Sequence, residues 1–261
     1  MAKKQTYRNR HADKLPPTGE RKERPALTPE LREQYEAGQV LLINKPLHWT
    51  SFDMVRKLRN LLYIKKIGHA GTLDPLATGL LIICVGKFTK KINEYMAQEK
   101  EYTGSFTLGA VTPTYDLESE PEQPKDYSFV TPELLQATTV QFTGDIEQLP
   151  PMHSAIKKDG VALYQLARQG KTLELEPRKV HIARFDITAI NLPMVEFRVV
   201  CGTGTYIRSL ANDFGAALGC GAYLSSLCRT RIGQFGLEGA VTPEQFEEGL
   251  RGALKGGGDP C

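Results

Sequence analysis

The stretch GHAGTLDPLATGLLIICVG, residues 68–86, carries a single acid, Asp74, between Gly71 and Gly79 and directly before Pro75. An apolar run, LLIICV, follows it. A lone carboxylate can act as a nucleophile or base if it stays ionised, which needs a cation or hydrogen-bond donors beside it. A loop set on a rigid strand presents such a group to a substrate. Flanking glycines let backbone and ligand come close. The same L-D-P-L is also a turn signal, and turn aspartates are the commoner kind. The residues alone leave both readings open.

Other chemistries fail on spacing. A phosphate-cradling loop ending at Gly86-Lys87 needs glycine at 81 and Ser or Thr at 88, where the chain has Leu81 and Phe88. Gly202 and Gly204 begin a dinucleotide fingerprint that ends on Ile207. The five histidines, His11, His48, His69, His153 and His181, form no pair at metal-ligand spacing. There is no G-x-S-x-G nucleophile turn. A distant second carboxylate of the glycosidase kind stays open, although nothing near Asp74 points to one.

The elements that must position Asp74 are legible as patterns. Residues 39–46, QVLLINKP, read as a buried strand stopped by Pro46. Residues 50–62 read as a helix, with Thr50 and Asp53 as a capping box and Phe52, Val55, Leu58 and Leu62 at helical spacing. The apolar run after Asp74 is a strand, and 87–97 a short basic helix. Residues 101–112 alternate as a strand, 113–130 form a polar loop, and a helix opens at Thr131-Pro132. A further helix is expected near 161–169, then strands over 180–190 and 194–201 around Asn191-Leu192-Pro193. Residues 204–218 form a helix with Ile207, Leu210 and Phe214 on one face; 222–235 is extended, and 242–250 is helical. Strands and helices mix without regular alternation, which predicts an α+β fold, a mixed sheet flanked by helices.

The chain of 261 residues has 41% hydrophobic and 24% charged residues, ordinary for a globular protein. No apolar run reaches a membrane span and no apolar leader opens the chain, so a cytoplasmic protein without a membrane partner is expected. The five cysteines, Cys84, Cys201, Cys220, Cys228 and Cys261, are odd in number and include no C-x-x-C, which fits reduced thiols. Charge is uneven: residues 1–24 carry eight Lys/Arg against three acids, 8 − 3 = +5, leaving 3 − 5 = −2 for the rest. Such a tail binds nucleic acid or merely solvates the chain. The expected organisation is a basic, mostly disordered tail over 1–38 with a short helix near 29–38, a folded domain over 39–251, and a flexible end over 252–261.

Taken in order, the motifs resemble one family. GHAGTLDPLATGLL resembles the catalytic motif of the bacterial tRNA pseudouridine-55 synthases, the TruB family of pseudouridine synthases. VLLINKP with TSFDMV resembles that family's N-terminal KP motif, and KEYTGSFTLGAVTPTYDLES its second motif. QLPPMHSAIKKDGVALYQLARQG resembles its PPxxSAxKxxGxxxYxxAR segment. VVCGTGTYIRSLANDFGAALGCGAYLSSLCRTRIGQF resembles its tyrosine–arginine motif and the L-x-R-T-x-x-G-x-F segment behind it. The match spans roughly residues 39–250. Where the family usually has a glycine, this chain has His48-Trp49, and Cys228 stands where many relatives have arginine. The resemblance is to a short form, without the C-terminal RNA-binding PUA domain.

The resemblance implies a pseudouridine synthase fold, a mostly antiparallel mixed sheet with a central catalytic cleft. It implies isomerisation of a T-loop uridine in tRNA without metal, nucleotide or redox cofactor. No feature of the sequence demands an oligomer, so a monomer with no protein partner is expected. The alternatives are a non-catalytic tRNA-binding or folding module and a related synthase acting on another RNA. By resemblance Asp74 is the catalytic aspartate and Arg208 its cation. Tyr102 stacks on the target base and handles the C5 proton, and Tyr206 lines the pocket. His69 fills the space of the extruded base, and Leu227 is an apolar wall. Extruding a base costs roughly a few kcal/mol, and stacking on an aromatic returns about 1–3 kcal/mol. Phosphate contacts fall to candidates among Lys65-Lys66, Lys90-Lys91, Lys157-Lys158 and Arg178-Lys179. Lys45 and Pro46 read as a strand end bracing the catalytic loop, and Asp116 as an ordinary loop acid.

Overall fold

The computed structural model describes residues 26–256, apart from 155, 156, 159, 160, 164, 165, 167, 168, 170–172 and 174. Residues 1–25 of the expected tail and 257–261 of the expected flexible end lie outside the described residues, as does part of the helix expected near 161–169.

The apolar run after Asp74 becomes β3, Ala77–Val85, buried along nearly its whole length. Its side chains alternate between two cores, as a strand covered on both faces requires. Leu81, Ile83 and Val85 meet Met54, Val55, Leu58 and Leu62 of helix α2, Ser51–Leu62. Leu80, Ile82 and Cys84 face the opposite way, toward Phe88, Ile92 and Phe235. Helix α2 opens with the expected capping box, Thr50 with Asp53. Phe52, expected on its inner face, is 62% exposed: the buried stripe is Ser51, Met54, Val55, Leu58 and Leu62, and Phe52 falls beside it.

Helix α1, Pro29–Ala37, precedes strand β1, Gln39–Lys45, which pairs antiparallel with β3 along its length. The short β2, Ile67–His69, pairs with the far end of β3. The helix expected over 87–97 splits into a 3-10 turn, Gly86–Lys91, and helix α3, Ile92–Ala97. Strand β4, Lys100–Leu108, ends before the expected limit because Gly109 turns the chain at φ +89°. Helix α4, Pro132–Gln141, starts at the Thr131 cap. Strand β5, Gly144–Gln148, is an edge strand absent from the sequence reading. Where a helix was expected from 161, β7, Val161–Ala162, pairs with β6, Lys157–Lys158. Strands β8, Arg178–Asn191, and β9, Met194–Cys201, form the expected hairpin. Helix α5, Ile207–Leu218, begins three residues later than expected. It leads to β10, Ala222–Ile232, then the two-residue β11, Phe235–Gly236, and helix α6, Pro243–Gly256.

The main sheet runs β1-β3-β10-β4-β9-β8-β5, with β2 beside β3 and β11 beside β10. Among the described strand pairs of this sheet only β3–β10, Leu227 opposite Ala77, is parallel. The α+β, mostly antiparallel expectation thus holds. Helices α4 and α5 cover one half of the sheet, with Phe214 of α5 against Phe106 and Phe185, and Phe197 stacked on Phe106. The short parallel junction brings the loop before β3 next to the middle of β10 and β4, and there the site lies.

Candidate active site

Asp74 sits on the loop joining β2 to β3, and that loop is pinned from three sides. Ser51 Oγ accepts from Leu73 N at 2.9 Å and donates to Leu73 O at 3.1 Å. His48 N donates to Pro75 O at 2.7 Å. Arg229 Nη2 donates to Gly71 O at 3.1 Å, and its Nε to Leu80 O at 2.8 Å. The glycines at the ends of the motif are demanded by backbone geometry. Gly71 has φ +100° and Gly79 φ +101°, and a Cβ on Gly79 would lie 2.4 Å from Arg229 O.

Asp74 faces Arg208, on the first turn of α5. Arg208 Nε lies 2.9 Å from Asp74 Oδ2, a contact of charge more than an aligned hydrogen bond. The arginine is buried while the aspartate side chain stays 38% exposed, so the carboxylate is presented and the cation is fixed behind it. Arg208 is held by Nη1 donating to Thr114 O at 3.2 Å and Nη2 to His153 O at 2.9 Å. A second carboxylate shares it: Asp116 Oδ2 is 3.6 Å from the same Nε. Asp116 is buried and accepts from Thr114 Oγ1 at 2.7 Å and Glu118 N at 2.9 Å. Burial pushes its pKa up despite those donors. The sequence reading dismissed Asp116 as a loop acid; its place beside Arg208 comes from a loop that crosses between α5 and β10, a relation no local pattern carries.

Asp74, Tyr102, Tyr206, Arg208 and Leu227 line one cleft of about 370 Å³, a size that suits a small ligand or one nucleotide. Tyr102 forms its floor on β4, 8% exposed and directly across from Arg229 on β10. Burial raises its pKa. Tyr206 caps α5, its backbone held at both ends by Gln148, N donating to Oε1 at 2.7 Å and O accepting from Nε2 at 3.0 Å. Leu227 closes the apolar side, opposite Ala77. His69 is not among the cleft's lining residues. It lies half-buried on β2, with Nδ1 buried and without a hydrogen-bond partner, and burial lowers its pKa so that the ring is neutral near pH 7. A larger groove of about 800 Å³ between α4 and β8 has Glu133 as its one ionisable lining residue.

The sequence assigns no chemistry to three buried cations. Lys45, read there as a plain brace, is fully buried and donates from Nζ to Pro46 O at 2.9 Å and Trp49 O at 2.6 Å. It does brace the turn that holds Pro75, but as a charged group near Asp74. Lys100 donates to the carbonyls of Met96 and Gln98 at the end of α3 and reaches the cleft wall. Arg229 is 1% exposed. The proposed phosphate binders Lys65, Lys66, Lys90, Lys91, Arg178 and Lys179 are all exposed. Among the described residues no group of His, Cys, Asp and Glu could hold a metal ion, and no helix is long and apolar enough to cross a membrane.

A family model described as TruB family pseudouridylate synthase (N terminal domain) matches residues 59–207. Another, described as tRNA pseudouridylate synthase B C-terminal domain, matches residues 208–253. A tRNA pseudouridine synthase B of Flavobacterium johnsoniae is 55% identical over 226 residues, 84% of this chain and 99% of that protein. One of Parabacteroides distasonis is 46% identical over 220 residues, 82% of this chain and 94% of that protein. Among solved structures, a chain of a Cbf5-Nop10-Gar1 complex superposes with a TM-score of 0.65 at 28% identity, covering 85% of this chain and 58% of that one. A chain of an H/ACA RNP bound to a substrate RNA containing 2′-deoxyuridine superposes at 0.66 with 26% identity, covering 89% and 59%. This chain thus spans under two thirds of those two solved chains.

Proposed function

The chain belongs to the TruB family of pseudouridylate synthases, and on that footing we propose that it isomerises a uridine in the T loop of tRNA to pseudouridine, with Asp74 as the group that acts on the substrate. The reaction breaks the C1′–N1 bond of the nucleotide, turns the ring, and joins C1′ to C5. The C5 proton is lost and N1 gains one, so no atom is added or removed and no redox group is consumed.

The observation that carries this reading is the presented Asp74 carboxylate, 2.9 Å from the buried Arg208 and above the Tyr102 floor. The guanidinium sits against the acid and aims it into the cleft. Tyr102 offers a ring face to an extruded base and a hydroxyl to its C5 edge. Tyr206 and Leu227 flank it, and a neutral His69 beside the loop takes the stacking place the base vacates. Exposed lysines on the 65–66 and 90–91 pairs hold phosphates. All these groups come from one chain, which supports action as a monomer without a protein partner, and a tRNA substrate supports a cytoplasmic location.

The test is tritium release from a T-stem-loop RNA labelled at C5 of uridine. Release by the protein, abolished when the one target uridine is replaced by cytidine, is the expected result. Tight RNA binding with no release would leave a binding module in place of an enzyme.

A further inference from the structure

Four cations are buried in or beneath the cleft: Lys45, Lys100, Arg208 and Arg229, each at most 6% exposed. Three carboxylates answer them: Asp74 and Asp116 sit against Arg208, and Asp74 and Asp53 act on Lys45. Even with all three acids ionised the balance is 4 − 3 = +1, and none of the three pairs with Lys100 or Arg229. Among the described residues, Lys100 and Arg229 form no salt bridge; backbone carbonyls of Met96, Gln98, Leu80 and Gly71 take their N–H groups. Carbonyl dipoles offset a buried charge only in part, so surplus cations here weaken the fold. A site keeps such groups where negative charge arrives during its work.

Their placement says what that charge is. Arg229 stands directly across from Tyr102 in the β10–β4 register. Lys100 lies two residues before Tyr102 on the same strand and therefore on the same face. The two cations thus flank the residue that receives the base. Burial, and next to it the Arg229 charge, lowers the Lys100 pKa to about 8, as expected for a cation short of partners.

Resting on the reading above, we propose that Lys100 and Arg229 form a fixed cationic floor that stabilises the uracil ring while it is detached from the ribose. When C1′–N1 breaks, its electron pair leaves with the ring, which becomes an anion spread over N1, O2 and O4. When C5 bonds to C1′, the C5 proton departs and N1 takes one up, so the ring is neutral again. The negative charge exists only between the two bond changes. A field set beforehand against it therefore lowers the barrier without tightening substrate binding.

The test compares two T-stem-loop RNAs, one with uridine and one with 5-fluorouridine at the target, in single turnover at saturating protein. The readout is consumption of the target nucleotide. Fluorine withdraws electrons, so its ring carries negative charge with less help from the protein. Lys100→Met and Arg229→Met should slow uridine consumption on the order of 10²-fold and 5-fluorouridine consumption much less, with Arg229→Lys recovering part of the loss. Lys100→Met puts an apolar chain where a cation was buried, a change folds often tolerate; if Arg229→Met does not fold, Lys100→Met decides. Equal losses on both RNAs would overturn the proposal, as would unchanged rates, or weaker RNA binding with an unchanged rate at saturation, the mark of a phosphate contact. Wild-type consumption of uridine separates the outcomes: without it the underlying activity fails, and with it only the cationic floor is in question.

Discussion

Arg208 Nε lies 2.9 Å from Asp74 Oδ2, and the same nitrogen lies 3.6 Å from Asp116 Oδ2. One buried guanidinium therefore serves an exposed acid and a buried one. Its two terminal nitrogens are spent on the carbonyls of Thr114 and His153. Lysine at this position keeps the charge but cannot reach three directions at once. Arg208→Lys should lower the single-turnover rate by about 10²-fold or more with little change in RNA affinity, checked by rapid quench alongside equilibrium binding.

Asp116 is the structural half of that arrangement. It is 3% exposed, and its removal would leave Arg208 with less compensation and Glu118 N without its acceptor. Asp116→Ala should destabilise the fold by about 3 kcal/mol. Asp116→Asn keeps the shape and some acceptors, so it should cost less in stability while still slowing turnover. Urea unfolding of both variants checks the ordering; equal stability of the two would contradict it.

Gly79 makes a sharper stability prediction. Its φ of +101° is strained for any L side chain, and an added Cβ would meet Arg229 O at 2.4 Å, a backbone atom that cannot swing aside. Gly79→Ala should cost at least about 2 kcal/mol, visible as a fall in the urea midpoint. An unchanged midpoint would show that the β3–β10 junction can open without loss.

How far the site could be read from the chain depends on where each residue's partners lie. Asp74 stood out because its glycines and proline are local. Arg208 in an amphipathic helix looks like any surface arginine, and only the family resemblance singled it out. Lys45, Lys100 and Arg229 escaped because hydropathy patterns count a cation as exposed, while here long-range strand pairing buries it. The fold class was legible from strands and helices that do not alternate. The edge strand Gly144–Gln148 was not, because only Ile146 and Gln148 in GDIEQ pack inward and four of its five residues are polar or glycine. Phe52 was misplaced because helical spacing says which residues share a face and not where the covered stripe, here Ser51, Met54, Val55, Leu58 and Leu62, ends.

Stability should rise with pH on the alkaline side. Burial holds Lys45 and Lys100 at a pKa of about 8, against 10.5 for an ordinary lysine. Below about pH 8 both are protonated in the folded and unfolded chain alike, and the cost of burying their charge is fully present. Between about pH 8 and 10 the unfolded chain binds more protons, so unfolding becomes less favourable as pH rises. In a Lys45→Met, Lys100→Met double variant that rise should be flattened, which urea unfolding at several pH values between 7 and about 10 will show. A rise of the same size in the double variant would contradict the assignment.

The most direct measurement is C5 tritium release in single turnover by wild type and Asp74→Asn, with RNA binding measured on the same samples. Asparagine fills the same space beside Arg208 but carries no charge and cannot act as nucleophile or base. The expected result is RNA binding close to wild type with no detectable release. Release by Asp74→Asn at a rate near wild type would contradict the account, and would leave Asp74 as the turn residue its local pattern equally allows.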